Sequence, residues 1–438
     1  LKFGEGTGSA TPLAWSMAQF IRLAVNLKAG KNLDTPDVVY NRYVLGKKDS
    51  VLNADFTEIP QTFRNGIDTR CFDEKPLYKK DCSYSSTLAD ENSQNPILRK
   101  CRLGGFYFAC KDSAKEMHAC FNYKGTFKTL EIAGDFTDWK PIGLKVEKRQ
   151  DGNWVDCFNF AKTARVEYKL IVDGKWITDP LNPNKIDNGV GGENSFFTMP
   201  DYQPTVWDKE IKDFRPALET VEIDSKVYGE KRKVKVFAPQ AITSEKPLPV
   251  LYFQDGSDYA ARARAVEQML NLFQAGKVSP FIMVFVDYKD RMKEYWANDD
   301  YARFLATEVV PVIDKKYNTI KTREGRGVMG ASLGGITSVW VALKYPEMFS
   351  RIGGQSVSWW VDNERVVKEL EKLDASKQKF TFYIDDGTLE GIEDSRRAVE
   401  ILKKKGFAVN YIETEAGHNW TAWRDRLADA FMTLMESE

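Results

Sequence analysis

Histidine is nearly absent from this chain of 438 residues: only His118 and His418 carry an imidazole, which argues against a His-built metal centre. The cysteines are few and unevenly placed. Cys71, Cys82, Cys101, Cys110, Cys120 and Cys157 all lie in the first 157 residues, with no Cys-x-x-Cys spacing of a zinc site. They read either as a disulfide-stapled, exported segment or as ordinary reduced thiols. Net charge is missing too: 63 Lys plus Arg balance 63 Asp plus Glu, so nothing draws the chain to nucleic acid or to an anionic membrane surface. No stretch reaches the roughly 18 to 20 consecutive apolar residues of a membrane span. The start, Leu1-Lys2-Phe3-Gly4, has neither an initiator Met nor a signal-peptide core, as in a mature or truncated chain, and a periplasmic or secreted address is preferred to a cytoplasmic one.

What is present is enough apolar residue, 42%, for real cores, and a length fit for two or three domains. From about residue 216 to 438, short β-branched runs alternate with amphipathic stretches of helical length. Strands are expected at Val234 to Phe237, Val250 to Phe253, Ile282 to Val286, Gly327 to Met329, Arg351 to Gly354, Phe380 to Ile384 and Val409 to Glu413. This is the pattern of an α/β fold with a mostly parallel, doubly wound sheet. Residues 123–200 instead show short alternating strands with a hairpin turn at Asp173-Gly174, and predict a small β-sandwich. Residues 201–215, near Pro200, Pro204 and Pro216, read as a linker. Before them, 1–30 hold one amphipathic helix (Leu13 to Leu27), and 31–122 are irregular and cysteine-bearing.

Gly330-Ala331-Ser332-Leu333-Gly334 fits Gly-x-Ser-x-Gly between an expected strand and an expected helix. Composition alone produces that pattern about once in six or seven chains of this length, so its context carries the argument. Serine needs a base, and histidine is the usual one. His118 sits in the cysteine-bearing stretch, whereas His418 follows the last strand, where this constellation places its base. The third member is a carboxylate lying between them in the chain. Glu390 is favoured over Asp386 and Asp394, since Asp385 and Asp386 belong to a strand end while Glu393 and Asp394 open a helix. The oxyanion hole is expected from the backbone N–H of Leu333 and of Gly256 or Ser257. No metal or cofactor is required by such chemistry.

On the stretches Tyr252-Phe253-Gln254-Asp255-Gly256, Arg291 to Tyr295, Gly330 to Gly335, Tyr345 to Phe349, Gln355 to Trp360 and Gly417-His418-Asn419-Trp420 with Trp423, this half resembles an α/β-hydrolase esterase family. That family includes enterochelin (siderophore) esterases, esterase D, feruloyl esterases and mycolyltransferases. The resemblance implies a serine esterase, with the acid after a Gly-Thr-x turn falling on Glu390, where relatives usually have Asp. It implies a pocket lined by Arg291 and Glu294, with Trp359 and Trp360 at the rim to stack on an aromatic acyl group or a sugar, or else packed in the core. Acetyl or feruloyl esters of carbohydrates lead among the substrates, followed by a siderophore ester and acyl transfer to a sugar.

Gly134-Asp135-Phe136-Thr137-Asp138-Trp139, Val172 to Trp176 and Glu193-Asn194 make the β domain resemble the immunoglobulin-like (E-set, CBM48-like) carbohydrate-binding domain of glycogen-branching enzymes and AMP-activated kinase. Its glucan contacts fall on Trp139, Lys169, Trp176 and Asn194. The same fold also precedes esterases as a substrate-shaping cap, and a non-catalytic glucan-binding protein is the competing reading. Phe3 to Ser16 resembles the last helix of a bacterial glucoamylase-type (GH15) barrel, whose catalytic residues the chain lacks.

Overall fold

The computed structural model describes residues 102–103, 106–109, 116–144, 147–148, 153–212, 215–239 and 246–436. All of them fall within one compact unit, Pro76–Glu438; the other, Leu1–Lys75, lies outside the described residues, and with it the glucoamylase-like helix.

The C-terminal half is built on eight strands: β1 (Glu219–Ser225), β2 (Glu230–Phe237), β3 (Val250–Gln254), β4 (Ile282–Val286), β5 (Arg326–Ala331), β6 (Arg351–Gln355), β7 (Thr381–Gly387) and β8 (Ala408–Thr414). Their order across the sheet is β1-β2-β4-β3-β5-β6-β7-β8. β1 and β2 pair antiparallel, as do β2 and β4, and every later pair is parallel. β1 is the strand the sequence reading missed. It alternates, burying Val221 and Ile223 and exposing the residues between them, as an antiparallel edge ribbon does. β3, β4 and β5 are buried throughout, and their apolar residues divide between two cores, one on each face. Tyr252 points into one and Phe253 into the other, as the two-residue strand period requires.

Helices cover both faces. Those that concern the site are α1 (Gly256–Ala261) after β3, α2 (Leu333–Lys344) after β5, α3 (Glu393–Lys404) after β7 and α4 (Trp420–Leu434) after β8. The carboxyl ends of β3, β5, β6, β7 and β8 therefore open on one side of the sheet. Ligands bind at that side in folds of this class.

Before this lie two antiparallel sheets, of five strands between Arg102 and Ala161 and of six between Leu130 and Thr198. Met117, Ala119, Phe121 and Phe160 of the first meet Ile132, Val166, Tyr168, Leu170 and Phe197 of the second in one core. The strand Glu116–Lys124 pairs along its length with Asn153–Ala161, so this β region begins before residue 123, where the sequence reading set its boundary. Cys120 and Cys157 stand opposite each other on that ladder and form a disulfide. Residues 201–212 are strapped to the α/β half: Asn271 donates to the carbonyls of Trp207 and Lys209, and Asp425 accepts from the Tyr202 hydroxyl.

Candidate active site

Ser332 sits on the turn between β5 and α2 with φ 57° and ψ −121°, a conformation a non-glycine residue adopts only when its surroundings impose it. The motif glycines make that turn possible by space. A Cβ on Gly330 would lie 2.4 Å from the Gly334 carbonyl, and one on Gly334 2.7 Å from an Asp255 carboxylate oxygen. The Ser332 Oγ lies 3.3 Å from the Ser358 Oγ. Leu333 opens α2, so its N–H has no helical acceptor and is free in that sense for an oxyanion.

His418 follows β8 on a loop, and its Nδ1 lies 2.5 Å from Glu390 Oε2. The other oxygen of Glu390 accepts from the Ser356 hydroxyl at 2.6 Å and from the Gly387 N–H at 2.8 Å. Burial pushes the Glu390 carboxyl up, but the bonds from His418, Ser356 and Gly387 outweigh it and hold the group below its ordinary value. The two alternatives are placed elsewhere. Asp386 is buried and accepts from Ser395, and burial, with the charges of Glu390 and Asp385, pushes its carboxyl well up. Asp394 pairs with Arg397 on the surface of α3. Trp423 finishes the arrangement: its ring meets the His418 imidazole edge-on at 5.0 Å, and its Nε1 donates to the Ser356 Oγ at 2.9 Å.

Ser332 and His418 line one cavity of about 400 Å³, together with Asp255, Asp258, Arg262, Tyr288, Arg291, Trp420, Trp423 and Arg424. Part of its wall belongs to the β region: Glu167 and the loop Asp187 to Val190. That loop is tied across by Arg262, which bonds Asp187 at 2.5 Å.

Arg291 is in the cavity wall, its guanidinium held by both oxygens of Asp255 at 2.9 and 2.8 Å. Glu294 is not. It is buried in a two-point ion pair with Arg232, at 3.1 and 2.5 Å, because the short helix Arg291–Glu294 points successive side chains to different sides. Trp359 is wholly buried and donates to Ser395, so it is a core residue; Trp360, 56% exposed, stacks edge-on with Trp296. The Ser257 N–H is taken by Asp287 at 2.8 Å, and a Cβ on Gly256 would strike the β4 backbone at 2.4 Å, so that glycine serves close packing of α1 on the sheet.

The four positions of the glucan-binding resemblance differ in exposure, although the register sets Lys169, Asn194 and Trp176 on one face of their sheet. Trp176 is 47% exposed, but Trp139 turns its Nε1 to Asp135, and Asn194 is buried with its amide bonded to Glu167 at 2.9 Å. Lys169 is half-buried between them in sequence. The residues that sequence reasoning missed are Ser356, Ser358, Asp135 and the loop 187–190. Ser356 and Ser358 lay within a quoted stretch, yet only the fold turns them toward Glu390 and Ser332.

Residues 225–434 match the family model described as "Putative esterase". Over 229 residues the chain is 28% identical to the uncharacterized protein YjcH of Bacillus subtilis, covering 48% of this chain and 94% of that protein. It is 26% identical over 311 residues to an endo-1,4-beta-xylanase/feruloyl esterase of Xylanibacter ruminicola, covering 67% of this chain and 42% of that protein. Among solved structures, the enterobactin esterase FES of Shigella flexneri superposes with a TM-score of 0.61 at 19% identity, covering 76% of this chain and 96% of the other, a likeness of fold. Among the described residues no helix is long and apolar enough to cross a membrane. The match over residues 225–434, set on the α/β sheet described above, together with the esterase relatives, shows that the protein is an esterase, a carboxylic ester hydrolase.

Proposed function

We propose that this esterase works through a Ser332–His418–Glu390 triad on acyl esters of carbohydrates, of the feruloyl or acetyl type. The observation that carries the triad is the Glu390–His418 pair at 2.5 Å opening on the same cavity as the strained Ser332. Glu390 fixes the Nδ1–H tautomer, which leaves Nε2 to take the Ser332 proton. Ser332 Oγ then bonds the acyl carbon while the oxyanion is received at the Leu333 N–H. His418 returns the proton to the leaving alkoxide, and an acyl-enzyme remains. Water, deprotonated by the same imidazole, attacks that ester, and the acid leaves as the Ser332 hydroxyl reforms.

The substrate class rests on the cavity's charge and its rings. Arg262, Arg291 and Arg424 are each paired to carboxylates, and Glu167, Asp187, Asp255 and Asp258 stand in the same wall. Such a wall favours a neutral ester over a polyanionic ferric siderophore. Tyr288, Trp420 and Trp423 offer aromatic surface for a planar acyl group. The match to a xylanase/feruloyl esterase over 67% of this chain supports the same choice. In this reading the β region acts as a cap that shapes the cleft through Asp187 to Val190, rather than as an independent glucan-binding module.

The test is labelling with a fluorophosphonate probe, then hydrolysis of a panel of acetyl, feruloyl and catecholate esters. Wild type is expected to label and Ser332→Ala not to, with feruloyl or acetyl sugar esters turned over fastest. Equal labelling of both proteins refutes the nucleophile, and fastest turnover of a catecholate ester refutes the substrate class.

A further inference from the structure

His418 is the most exposed member of the triad, with 40% of its side chain open, and it sits on a loop rather than on a strand or helix. A base so placed must be held by its neighbours, since an error of about 1 Å in a reacting group costs up to about a hundredfold in rate. Glu390 and Trp423 touch the ring itself, while the loop that carries it is held from the β region.

Four contacts bear on the loop Glu415 to Asn419 and on the turn carrying Glu390. The Arg165 N–H donates to the Glu415 carbonyl at 3.1 Å. The Asn419 side-chain amide donates to Asp135 Oδ2 at 3.2 Å, while the Asn419 oxygen caps α4 by accepting from the Ala422 N–H at 3.0 Å. Gly417 lies against Asp135 so closely that a Cβ there would fall 2.0 Å from the Asp135 Cγ. Leu389, beside the triad acid, packs on the apolar core of the β region, and its N–H donates to the Ala416 carbonyl at 3.1 Å.

Asp135 is itself fixed from its own side. It is 2% exposed, its Oδ2 also accepts from the Glu167 N–H at 2.8 Å, and its Oδ1 accepts from Trp139 Nε1 at 3.3 Å. Gly417 is not at a positive φ, so its backbone conformation is open to alanine. What excludes a side chain at 417 is the Asp135 side chain as a whole, since its Cγ, Oδ1 and Cβ would lie 2.0, 2.3 and 2.4 Å away. Asp135, far from Gly417 in sequence, thus sets the space available next to the proposed base.

We infer that Asp135 is a positioning residue for catalysis: through Gly417 and Asn419 it fixes the loop that presents His418, so that the β region completes the triad rather than only covering the cleft. This rests on the triad reading above. It also accounts for the turned-in Trp139, whose Nε1 donates to Asp135.

The experiment is a double-mutant cycle on the full chain with Asp135→Ala, Asp135→Asn, Asp135→Gly, Gly417→Ala and Asp135→Gly/Gly417→Ala, measuring kcat, KM and thermal unfolding for each. Asp135→Ala is expected to lower kcat about tenfold or more with KM changed less than about twofold, and Asp135→Asn, which keeps an oxygen for Asn419, to restore most of the loss. Gly417→Ala should be the most damaging of the substitutions, and the double variant with Asp135→Gly should recover activity relative to it, because the clash is with the Asp135 side chain, Cβ included. A purely structural role would move unfolding temperature without this kcat-specific pattern or rescue. Wild-type kcat in Asp135→Ala, or a double variant no better than Gly417→Ala, overturns the inference. Should Asp135→Ala fail to fold, Gly417→Ala alone decides: wild-type kcat there also overturns it. Ser332→Ala and His418→Ala run alongside separate the two readings, since activity surviving in them refutes the triad whatever the cycle gives.

Discussion

The Ser356 hydroxyl donates to Glu390 Oε1 at 2.6 Å and at the same time accepts from Trp423 Nε1 at 2.9 Å. One small residue thus links the proposed triad acid to the ring that packs against the proposed base. Glu390 has one more methylene than the Asp usual at this place in related esterases, and so more torsional freedom to remove. Two donors on Oε1 and the imidazole on Oε2 remove it.

Ser356→Ala should therefore weaken the Glu390 site without emptying it. A carboxyl held low contributes stability that is present above its unfolded pKa, about 4.3, and lost as pH falls through the lower folded value. Losing the Ser356 bond raises that folded value toward the ordinary one. The expected result is a loss of acid stability in the variant, beginning at higher pH than in wild type, with kcat reduced by about tenfold; pH-dependent unfolding and a pH–rate profile check both.

Glu390→Gln should cost far more, about 10³- to 10⁴-fold in kcat, because the amide presents the wrong group to Nδ1 and favours the wrong tautomer. Asp394→Asn should be close to neutral, since Asp394 is a surface partner of Arg397. Comparable losses in the two would remove Glu390 from the triad. Steady-state kinetics on one chromogenic ester suffices.

Asp135 gives a pH dependence of opposite sign. Burial first, and then the Glu167 charge, push its carboxyl up to about 7. A carboxyl raised on folding holds its proton longer in the folded state, so the cost of keeping it buried grows as pH rises from its unfolded value toward 7. Asp135→Asn removes that cost. Its unfolding temperature should exceed that of wild type at pH 8 by more than at pH 5; a constant difference would contradict the assignment.

Glu294→Ala tests the corrected place of that residue. It leaves the buried Arg232 with Glu230 alone as a charged partner, at 3.2 Å, so the cost should fall below the roughly 3 to 5 kcal/mol of a wholly unpaired buried charge. The expected effect is a lowered denaturation midpoint with KM little changed, read by chemical unfolding and kinetics. A raised KM at unchanged stability would return Glu294 to the substrate pocket.

The Cys120–Cys157 bridge joins paired strands 37 residues apart in sequence. Replacing both by Ala should cost about 2 to 4 kcal/mol. If the β region positions His418, the same double variant should also lose activity at temperatures where the α/β half alone stays folded. Circular dichroism and activity melts on one sample, which should separate in the variant, make the comparison.

The sequence by itself determined the α/β half of the fold and the candidates for its reacting groups. Strand and helix periods are local, the glycines of Gly330-Ala331-Ser332-Leu333-Gly334 are needed within five residues of one another, and His418 stood out because imidazole is so scarce. Even the choice of Glu390 over Asp386 and Asp394 followed from which acids a strand end and a helix start would claim. The outcome differs where the answer depends on which way a side chain turns. Glu294 and Trp359 went into the core, and Ser257 lost its N–H to Asp287, because helix phase and neighbouring strands decide direction at a cleft rim. β1 escaped because its polar, half-exposed alternation resembles a charged linker until a sheet edge is there to receive it. What only the tertiary structure decided is the meeting of Asp135 with Gly417 and Asn419. A hydrogen bond spanning 284 residues leaves no spacing to read, since it is set by how the β region packs on the α/β half.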